Sequence, residues 1–272
     1  MSRGAPQGRT AAEPRARKRF GQHFLHDPAV LERIAAAVAP GPEDRLVEIG
    51  PGRGALTEYL LGTACRSLDA VEIDRDLAAL LRERFAAEPR LTLRAADALR
   101  FDFSGLAEER GGRLRVVGNL PYNISTPLLF HLLESASSIL DLHVMLQREV
   151  IERMAAAPGD PAYGRLTVML APWVDVAPLF EVGPGAFKPP PRVWSAVARL
   201  TVRAAPRFPV HPGFAALVAA AFSQRRKTVR NSLRGLVSVE QFERCAIDPG
   251  ARPETLAPER FNALAQVSAA AD

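Results

Sequence analysis

The chain has 272 residues, 47% of them hydrophobic, and a formal net charge of +5 with an isoelectric point of about 9.7. This length and apolar content allow one large and one small domain, and the basic balance favours a polyanionic partner. The two cysteines lie far apart without metal-ligand spacing, which excludes a disulfide framework and predicts a metal-free, cytoplasmic protein. No apolar run is long enough to span a membrane, so we expect neither an anchor nor a secretory signal.

The amino-terminal end of the chain is rich in arginine and alanine. We predict that residues 1–18 form a disordered basic arm that contacts RNA, with an organellar transit peptide as the alternative. Asp27 and Pro28 then form a helix start signal, and the apolar spacing that follows predicts a helix over Pro28–Val38. Folded structure is therefore expected to begin soon after the arm.

A glycine-rich turn follows the first predicted strand of the main sheet. The strand centres on Val47, the turn contains Gly50 and Gly52, and a helix is predicted over Ala55–Leu61. Glycines let the backbone approach a ligand closely, and free N–H groups at the helix start face an anion. The spacing also fits the permissive dinucleotide fingerprint, so the turn alone leaves open whether the cofactor is a nicotinamide or S-adenosylmethionine.

Two acids follow the next two predicted strands. Glu72 comes after the strand Leu68–Val71, about twenty residues beyond the turn, where a carboxylate accepts hydrogen bonds from ribose hydroxyls in either cofactor class. Asp74 is predicted to cap the helix that follows. Asp97 comes after the strand Leu91–Ala95, where an acid can accept from an adenine amino group. Asp97 is the residue that favours S-adenosylmethionine.

A fourth strand, over residues 114–118, leads into Asn119, Leu120, Pro121 and Tyr122. An amide oxygen and a backbone carbonyl can each accept one hydrogen of an exocyclic amine, while an aromatic ring stacks on the heterocycle. The alternative is a strand that ends in a Pro-containing turn whose tyrosine is core packing. Because all four signals stand at the ends of successive strands, we expect them to meet at the carboxyl edge of one sheet. Together they predict chemistry on a nucleobase amine.

Alternating helices and strands continue to about residue 204. This pattern predicts an α/β fold: a Rossmann-like, seven-stranded S-adenosylmethionine-dependent methyltransferase domain with an antiparallel edge. The later predicted elements are a helix over Thr126–Leu133, a strand over His143–Leu146, a helix over Arg148–Ala156, and strands over Trp173–Phe180 and Trp194–Val202.

Between the last two strands, three consecutive prolines hold the chain extended and fix the residues before them. We predict that Phe187 is a second stacking surface, opposite Tyr122 on a flipped base. The alternative is an aromatic side chain buried against the sheet. Lys188 and Arg192 flank the same prolines and are predicted to contact phosphates.

The rest of the chain predicts a small all-helical domain. Helices are expected over His211–Phe222, Ser223–Leu236, Val239–Ala246 and Pro258–Val267, which gives an arm over 1–18, a methyltransferase domain over 19–204 and an RNA-binding helical domain over 205–272. The predicted RNA contacts here are Arg225, Arg226, Lys227, Arg230 and Arg234. At helical spacing Arg226, Arg230 and Arg234 would share one face that tracks phosphates; a solvated basic face without a partner is the alternative.

From Arg19 onward the chain resembles the ribosomal RNA adenine N6,N6-dimethyltransferase family. The extended carboxyl-terminal part is closer to the bacterial enzymes of small-subunit rRNA than to macrolide-resistance methylases. Trp194 departs from the pattern, since a small or acidic residue is common at its position. The motifs that carry the resemblance are Arg19–Leu25, Glu48–Gly52, Glu72–Asp74, Gly118–Ser125, Met145–Val150, Tyr163–Leu166, Phe187–Ser195 and Gln224–Thr228.

The resemblance implies S-adenosylmethionine-dependent dimethylation of two adjacent adenosines in a hairpin loop near the 3′ end of 16S rRNA, within the assembling 30S subunit. From the chemistry of the amine, the predicted catalytic residues are Asn119, Leu120, Tyr122 and Phe187. The enzyme is expected to be a monomer. The implied cofactor contacts are His23, Leu25, Gly50, Gly52, Glu72, Asp97 and Asn119. His23 and Leu25 rest on the resemblance alone, and a capping or core role is the alternative for His23.

Three other functions remain open at this point. A DNA or protein methyltransferase would use the same amide and aromatic pair on another planar amine. A non-catalytic assembly factor would bind RNA with a retained fold, although intact Asn119 and Tyr122 disfavour it. A nicotinamide oxidoreductase is disfavoured because no lysine, tyrosine or histidine is placed as a partner for hydride transfer.

Overall fold

The computed structural model describes residues 22–224 and 226–269. The strands are β1 (Phe24–Leu25), β2 (Arg45–Ile49), β3 (Ser67–Glu72), β4 (Leu91–Ala95), β5 (Leu114–Asn119), β6 (Ile139–Gln147), β7 (Val174–Val182), β8 (Phe187–Lys188) and β9 (Ser195–Val202). The helices are α1 (Pro28–Val38), α2 (Ala55–Leu61), α3 (Arg75–Arg84), α4 (Phe103–Arg110), α5 (Ser125–Glu134), α6 (Arg148–Ala155), α7 (Arg165–Leu170), α8 (Phe214–Ala221), α9 (Val229–Ser232), α10 (Val239–Arg244) and α11 (Pro258–Ala269).

Seven strands form one sheet in the order β4-β3-β2-β5-β6-β9-β7. The strands from β4 to β6 are parallel, and β9 runs antiparallel between β6 and β7. The predicted seven-stranded sheet with an antiparallel edge is therefore confirmed. A second, two-stranded ladder pairs β1 with β8, opposing Leu25 and Phe187. The sequence did not predict this ladder, which joins segments more than 160 residues apart.

Apolar side chains cover both faces of the sheet. In β2, Leu46 belongs to one apolar cluster and Val47 to the other, and in β5 Val117 and Val116 divide in the same way. Successive side chains of a strand point to opposite faces, so these pairs mark a sheet buried on both sides. Both strands end at the same edge, which leaves the residues beyond Ile49 and Gly118 to form the site.

The start of α1 matches its prediction. The Asp27 side chain caps the helix by accepting from the N–H groups of Ala29 and Val30, and Pro28 occupies the first turn, where no hydrogen bond is lost. Asp74 caps α3 in the same way, by accepting from the N–H of Asp76. The predicted bounds of α1 and α2 agree with the structure to the residue.

The helices after residue 204 share an apolar cluster with earlier residues. Phe214, Phe242 and Phe261 are at its centre, and Tyr163 and Val168 also belong to it. The Tyr163 hydroxyl donates to the carbonyl of Leu256 at 2.7 Å. Burial raises the pKa of this phenol, consistent with a role as a fixed donor. The domain boundary at 204–205 stays a prediction, but the helical core reaches back across it.

The predicted helix over Ser223–Leu236 is wrong in extent. Among the described residues of this span, 223–224 and 226–236, the helix that forms is α9, four residues long. Arg226 has a φ of +71°, a left-handed conformation that cannot continue an α-helix. Arg226, Arg230 and Arg234 therefore do not share one helix face. The predicted arm over 1–18, the start of the Arg19–Leu25 motif and Arg225 lie outside the described residues.

Helix α7 was not predicted as a separate element. It begins inside the Tyr163–Leu166 motif and ends at Leu170, beyond the motif. Among the helices of residues 22–224 and 226–269, none is both long and apolar enough to cross a bilayer.

Candidate active site

A cavity of about 220 Å³ opens at the carboxyl edge of β2, β3, β4 and β5. Its wall contains eight predicted site residues: His23, Gly50, Gly52, Glu72, Asp97, Asn119, Leu120 and Tyr122. A neighbouring cavity of about 320 Å³ shares part of this wall and also contains Leu25 and Lys188. The structure thus brings together residues that the sequence spreads over a hundred positions.

The glycine turn forms one wall of both cavities. Gly50 and Gly52 have φ values of +67° and +59°, which L side chains rarely adopt. A Cβ atom at Gly52 would also lie 3.0 Å from the Phe24 ring. The turn therefore presents bare backbone to a ligand, as the sequence predicted.

Glu72 holds that turn in place from the end of β3. One carboxylate oxygen accepts from the N–H of Asp74 at 2.8 Å, and the other accepts from the N–H of Gly52 at 3.2 Å. Burial raises the pKa of Glu72, while these two hydrogen bonds oppose the shift. Each oxygen retains a second lone pair, so the carboxylate can still accept from ligand hydroxyls.

Glu48 is a buried acid that sequence reasoning did not assign to the site, although a charge inside the apolar run of β2 is the signal that reveals it. Its side chain is 1% exposed and accepts from the Thr57 hydroxyl at 2.6 Å. Burial raises the pKa of Glu48 to about 7; the Thr57 hydrogen bond lowers it, and the charge of Glu72 raises it further. The floor beneath the glycine turn therefore holds two interacting carboxyl groups.

Asp97 lies two residues beyond β4 and lines the first cavity. Its carboxylate accepts from the N–H of Leu99 at 3.0 Å, which fixes the side chain. Apolar groups of Ile73, Ala98 and Leu99 line the same part of the wall. Ile73 is 47% exposed, an unusual position for an isoleucine that sequence reasoning missed. An acid beside such apolar surface suits a planar ring with a polar edge.

Asn119, at the end of β5, is oriented by the chain segment that precedes α1. Its Nδ2 donates to the carbonyl of His23 at 3.0 Å. With the amide nitrogen engaged, Oδ1 is the atom available to accept from a ligand. The next residue, Leu120, is held by its N–H, which donates to the carbonyl of Met145 at 3.1 Å. The two predicted acceptors therefore occupy fixed positions on the cavity wall.

The Tyr122 ring is held from two sides. Its hydroxyl lies 2.6 Å from Ser195 Oγ, and its ring stacks against His23 with centroids 5.8 Å apart and planes 26° apart. His23 in turn donates through Nδ1 to the carbonyl of Pro189 at 2.8 Å. The resemblance assigned His23 to the cofactor, whereas the structure shows that it also positions Tyr122. Ser195 was missed, since only the fold brings it to this tyrosine.

Phe187 does not form the open stacking surface that was predicted. Its side chain is 2% exposed and packs with Leu25, Met145 and Val197 in the apolar cluster under β8. It is absent from the walls of both described cavities. The structure shows the alternative weighed for Phe187, an aromatic ring buried against the sheet.

The predicted RNA-contacting residues lie on the surface. Lys188 is exposed at the mouth of the second cavity, and Arg226, Lys227, Arg230 and Arg234 are exposed in the helical region. The four residues of the helical region line neither described cavity, whereas Lys188 lines the second. Their contact with RNA stays a prediction.

The strand order and the site at its carboxyl edge define a methyltransferase with a Rossmann-like fold. Residues 13–269 match the model of a family described as ribosomal RNA adenine dimethylase. The chain belongs to that family.

Relatives and solved structures agree with this assignment. The chain is 54% identical to "Ribosomal RNA small subunit methyltransferase A" of Pseudomonas aeruginosa, over 92% of this chain and 94% of the relative. A relative of the same description from Methylococcus capsulatus is 54% identical, over 88% and 93%. A dimethyladenosine transferase from Plasmodium falciparum matches with a TM-score of 0.77 at 26% identity, over 89% and 96%. The 23S rRNA methyltransferase ErmE matches with a TM-score of 0.70 at 27% identity, over 89% and 98%.

Proposed function

We propose that this protein dimethylates N6 of two adjacent adenosines in the hairpin loop near the 3′ end of 16S rRNA, with S-adenosylmethionine as methyl donor. The observation that carries the proposal is the fixed Asn119 amide, whose oxygen shares one cavity with Tyr122, Glu72 and Asp97. The descriptions of the relatives from Pseudomonas aeruginosa and Methylococcus capsulatus, which name the ribosomal RNA small subunit, support this substrate.

The residues around the cavity suit S-adenosylmethionine. Glu72 can accept from ribose hydroxyls, and Asp97 can accept from the adenine amine, with Ile73 against the ring. Gly50 and Gly52 allow close approach of backbone, and His23 and Leu25 lie on the adjoining wall. When bound, the cofactor supplies an electrophilic methyl group from its sulfonium centre.

The chain's task is to make the adenine amine reactive and to aim it. The N6 lone pair is delocalised into the ring, which makes the amine a poor nucleophile. In the first methyl transfer, Asn119 Oδ1 and the Leu120 carbonyl accept its two hydrogens and favour a more tetrahedral nitrogen with a directed lone pair. In the second transfer, the one remaining hydrogen is accepted by one of these two oxygens. Because Nδ2 and the Leu120 N–H are already bonded, both acceptors are positioned before the substrate arrives. Orientation and electrostatics then supply the rate enhancement.

Tyr122 holds the flipped base by stacking on its ring, and its π-face stabilises positive charge that develops on N6. The bonds to Ser195 and the packing of His23 keep the tyrosine ring in one orientation. Since Phe187 is buried, Tyr122 is the aromatic surface that carries this role. The methylated ammonium is strongly acidic, so water accepts its proton and no general base is required.

Capture of the substrate is assigned to basic surface residues. Lys188, Arg225, Arg226, Lys227, Arg230 and Arg234 would neutralise phosphates around the loop, giving binding that weakens with salt. An adenosine in an unpaired loop is easier to extrude than one in a duplex. We further propose that the enzyme acts as a cytoplasmic monomer on the assembling 30S subunit.

The test is methylation of small subunits that lack the modified adenines, using radiolabelled S-adenosylmethionine and mapping of the modified positions. We expect dimethylation at two adjacent adenosines of the 3′ hairpin. Label in 23S rRNA, DNA or protein instead would replace the proposed substrate. Binding of NADH without any binding of S-adenosylmethionine would overturn the proposed chemistry.

A further inference from the structure

Trp194 is the most exposed large aromatic side chain among the described residues near the site. It is 50% exposed, although burial of an indole ring is strongly favourable. The proposed mechanism gives it no role.

Trp194 is held by contacts with Arg148 and Gly183 and is adjacent in the chain to the hydrogen-bond partner of Tyr122. Its carbonyl accepts from the N–H of Arg148 at 3.0 Å, and its ring lies over Gly183, where an added Cβ would be 3.6 Å from the indole. The next residue, Ser195, is hydrogen-bonded to Tyr122. This chain of bonds puts the Trp194 backbone within roughly 9 Å of the Tyr122 hydroxyl. The indole is thus supported by Gly183 on one side and half-exposed to solvent, one residue along the chain from the hydrogen-bond partner of Tyr122.

Positive charge accompanies this open ring. Lys188 and Arg192 are exposed in the same segment, Phe187–Ser195. Within residues 22–224 and 226–269, neither of them forms an ion pair, whereas Arg148 is paired with Glu152 and Glu181. Lys188 and Arg192 are therefore available to bind phosphates. An exposed aromatic ring in the same segment as unpaired cations is the combination that binds single-stranded nucleic acid.

We propose that Trp194 stacks on the base of a nucleotide that flanks the target adenosine, while Lys188 and Arg192 bind the adjoining phosphates. This inference rests on the proposed RNA substrate and adds a positioning residue to it. Removing one base from a stack leaves its neighbour without a partner, and the indole supplies a substitute surface. Stacking on an aromatic ring is tolerant of sequence, so Trp194 adds affinity and orientation without base selectivity.

The first test measures steady-state kinetics on small subunits reconstituted with unmodified rRNA. Trp194→Ala is expected to raise KM by about five- to a hundredfold with little change in kcat, and Trp194→Phe to recover most of the loss. Leu140→Ala is the matched control. Leu140 is an exposed apolar residue at the far end of β6, roughly 23 Å along that strand from the residue that pairs with Ser195.

Subunits with an abasic ribose on one or the other side of the target adenosines complete this test. If the abasic ribose replaces the nucleotide that stacks on Trp194, the wild-type protein and Trp194→Ala are expected to have the same KM. An unchanged KM in Trp194→Ala, or a difference that survives both abasic substrates, would overturn the inference. Absence of methylation by the wild-type protein would instead overturn the proposed function.

The second test uses fluorescence, since the chain contains only Trp173 and Trp194. In a Trp173→Phe variant, saturation with a hairpin RNA, judged by anisotropy of a labelled strand, is expected to quench the remaining indole emission. In Trp194→Phe, the same RNA should leave the emission of Trp173, which packs against the sheet core, nearly unchanged. Saturating RNA without quenching of Trp194 contradicts stacking.

Discussion

The carboxyl edge of the sheet and the basic residues of the helical region are built on different principles. At the sheet edge, Asn119, Glu72 and Tyr122 are each held by hydrogen bonds to other elements. In the basic segment, residues 226–234, the charged side chains are exposed around the four residues of α9. One region fixes a few polar atoms, and the other displays charge without fixing it.

This difference follows from what each region is proposed to do. A reacting amine must be aimed, and a displacement of about 1 Å at the acceptor atoms can cost on the order of a hundredfold in rate. Phosphates are bound through long-range attraction that tolerates many geometries. Substitutions at the sheet edge should therefore change kcat, and substitutions in the basic segment should change RNA affinity and its salt dependence.

Asn119→Ala gives the largest expected effect on catalysis. Losing one of the two acceptors for the amine should lower kcat by about 10²–10³-fold, while RNA affinity stays within about twofold of the wild-type value. Single-turnover methylation and filter binding on small subunits measure the two quantities. Asn231→Ala, an exposed asparagine of α9, is the matched control and should retain the wild-type kcat. A kcat for Asn119→Ala within tenfold of wild type would remove the distinction between the regions.

The carboxyl edge of the sheet, with Asn119, Glu72 and Tyr122, is the rigid region of this comparison. Glu48, beneath its glycine turn, makes the stability of this region depend on pH. Because burial raises its pKa from 4.5 to about 7, the folded protein binds a proton that the unfolded chain has released. The free energy of unfolding should therefore fall as pH rises from 4.5 through 7 and level off above about 8. The loss from this group is about 3 kcal/mol.

Urea unfolding of the cofactor-free protein at pH 5 and pH 8 measures this effect. The difference in the free energy of unfolding between Glu48→Gln and wild type should shift in favour of Glu48→Gln from pH 5 to pH 8. The reason is that glutamine keeps the shape of the side chain but does not titrate. Thr57→Val removes the hydrogen bond that lowers the pKa of Glu48, so it should cost more stability at pH 8 than at pH 5. Parallel pH profiles for wild type and Glu48→Gln would contradict the assignment.

The sequence predicted the rigid region better than the exposed one. The glycine turn, the acids and the Asn119 turn each follow a strand of the parallel part of the sheet, and a parallel sheet brings strand ends together whatever the details of packing. Local signals also set the bounds of α1 and α2. Contacts between distant segments could not be read in this way. The β1–β8 ladder and the bond from Tyr122 to Ser195 depend on where the Phe187–Ser195 segment folds.

Two predictions about aromatic and basic residues failed for physical reasons. Phe187 was placed opposite Tyr122 by its position after a glycine and before the prolines, but pairing of β8 with β1 turns its ring into the core. The helix over Ser223–Leu236 was predicted from the local sequence pattern, which does not reveal a left-handed residue at Arg226. In both cases a periodic or local pattern was overridden by tertiary structure.

Replacing Arg230 and Arg234 together by alanine tests the exposed region. The affinity for small subunits should fall by roughly tenfold at moderate salt, and the slope of log affinity against log salt should decrease by about one for each arginine. The kcat at saturating substrate should not change. Arg66→Ala is the control, since Arg66 is exposed at the opposite edge of the sheet and ion-paired with Glu43. An unaltered salt slope in the double variant would exclude these arginines from the RNA contact.

Ser195→Ala gives the smallest expected effect and sharpens the boundary of the rigid region. Its hydroxyl holds the Tyr122 hydroxyl at 2.6 Å, and loss of one such bond is worth about 0.5–1.5 kcal/mol. We expect kcat to fall two- to tenfold, because the tyrosine ring still packs on His23.

Tyr122→Phe removes the same hydrogen bond from its other end while keeping the ring. The two substitutions combined should therefore cost little more than either alone, which a double-mutant cycle on kcat measures directly. Additive losses would mean that Ser195 acts on the reaction by some route other than Tyr122. Full activity in both single variants would show that packing against His23 suffices to orient the ring, and that Ser195 is not needed to hold the site.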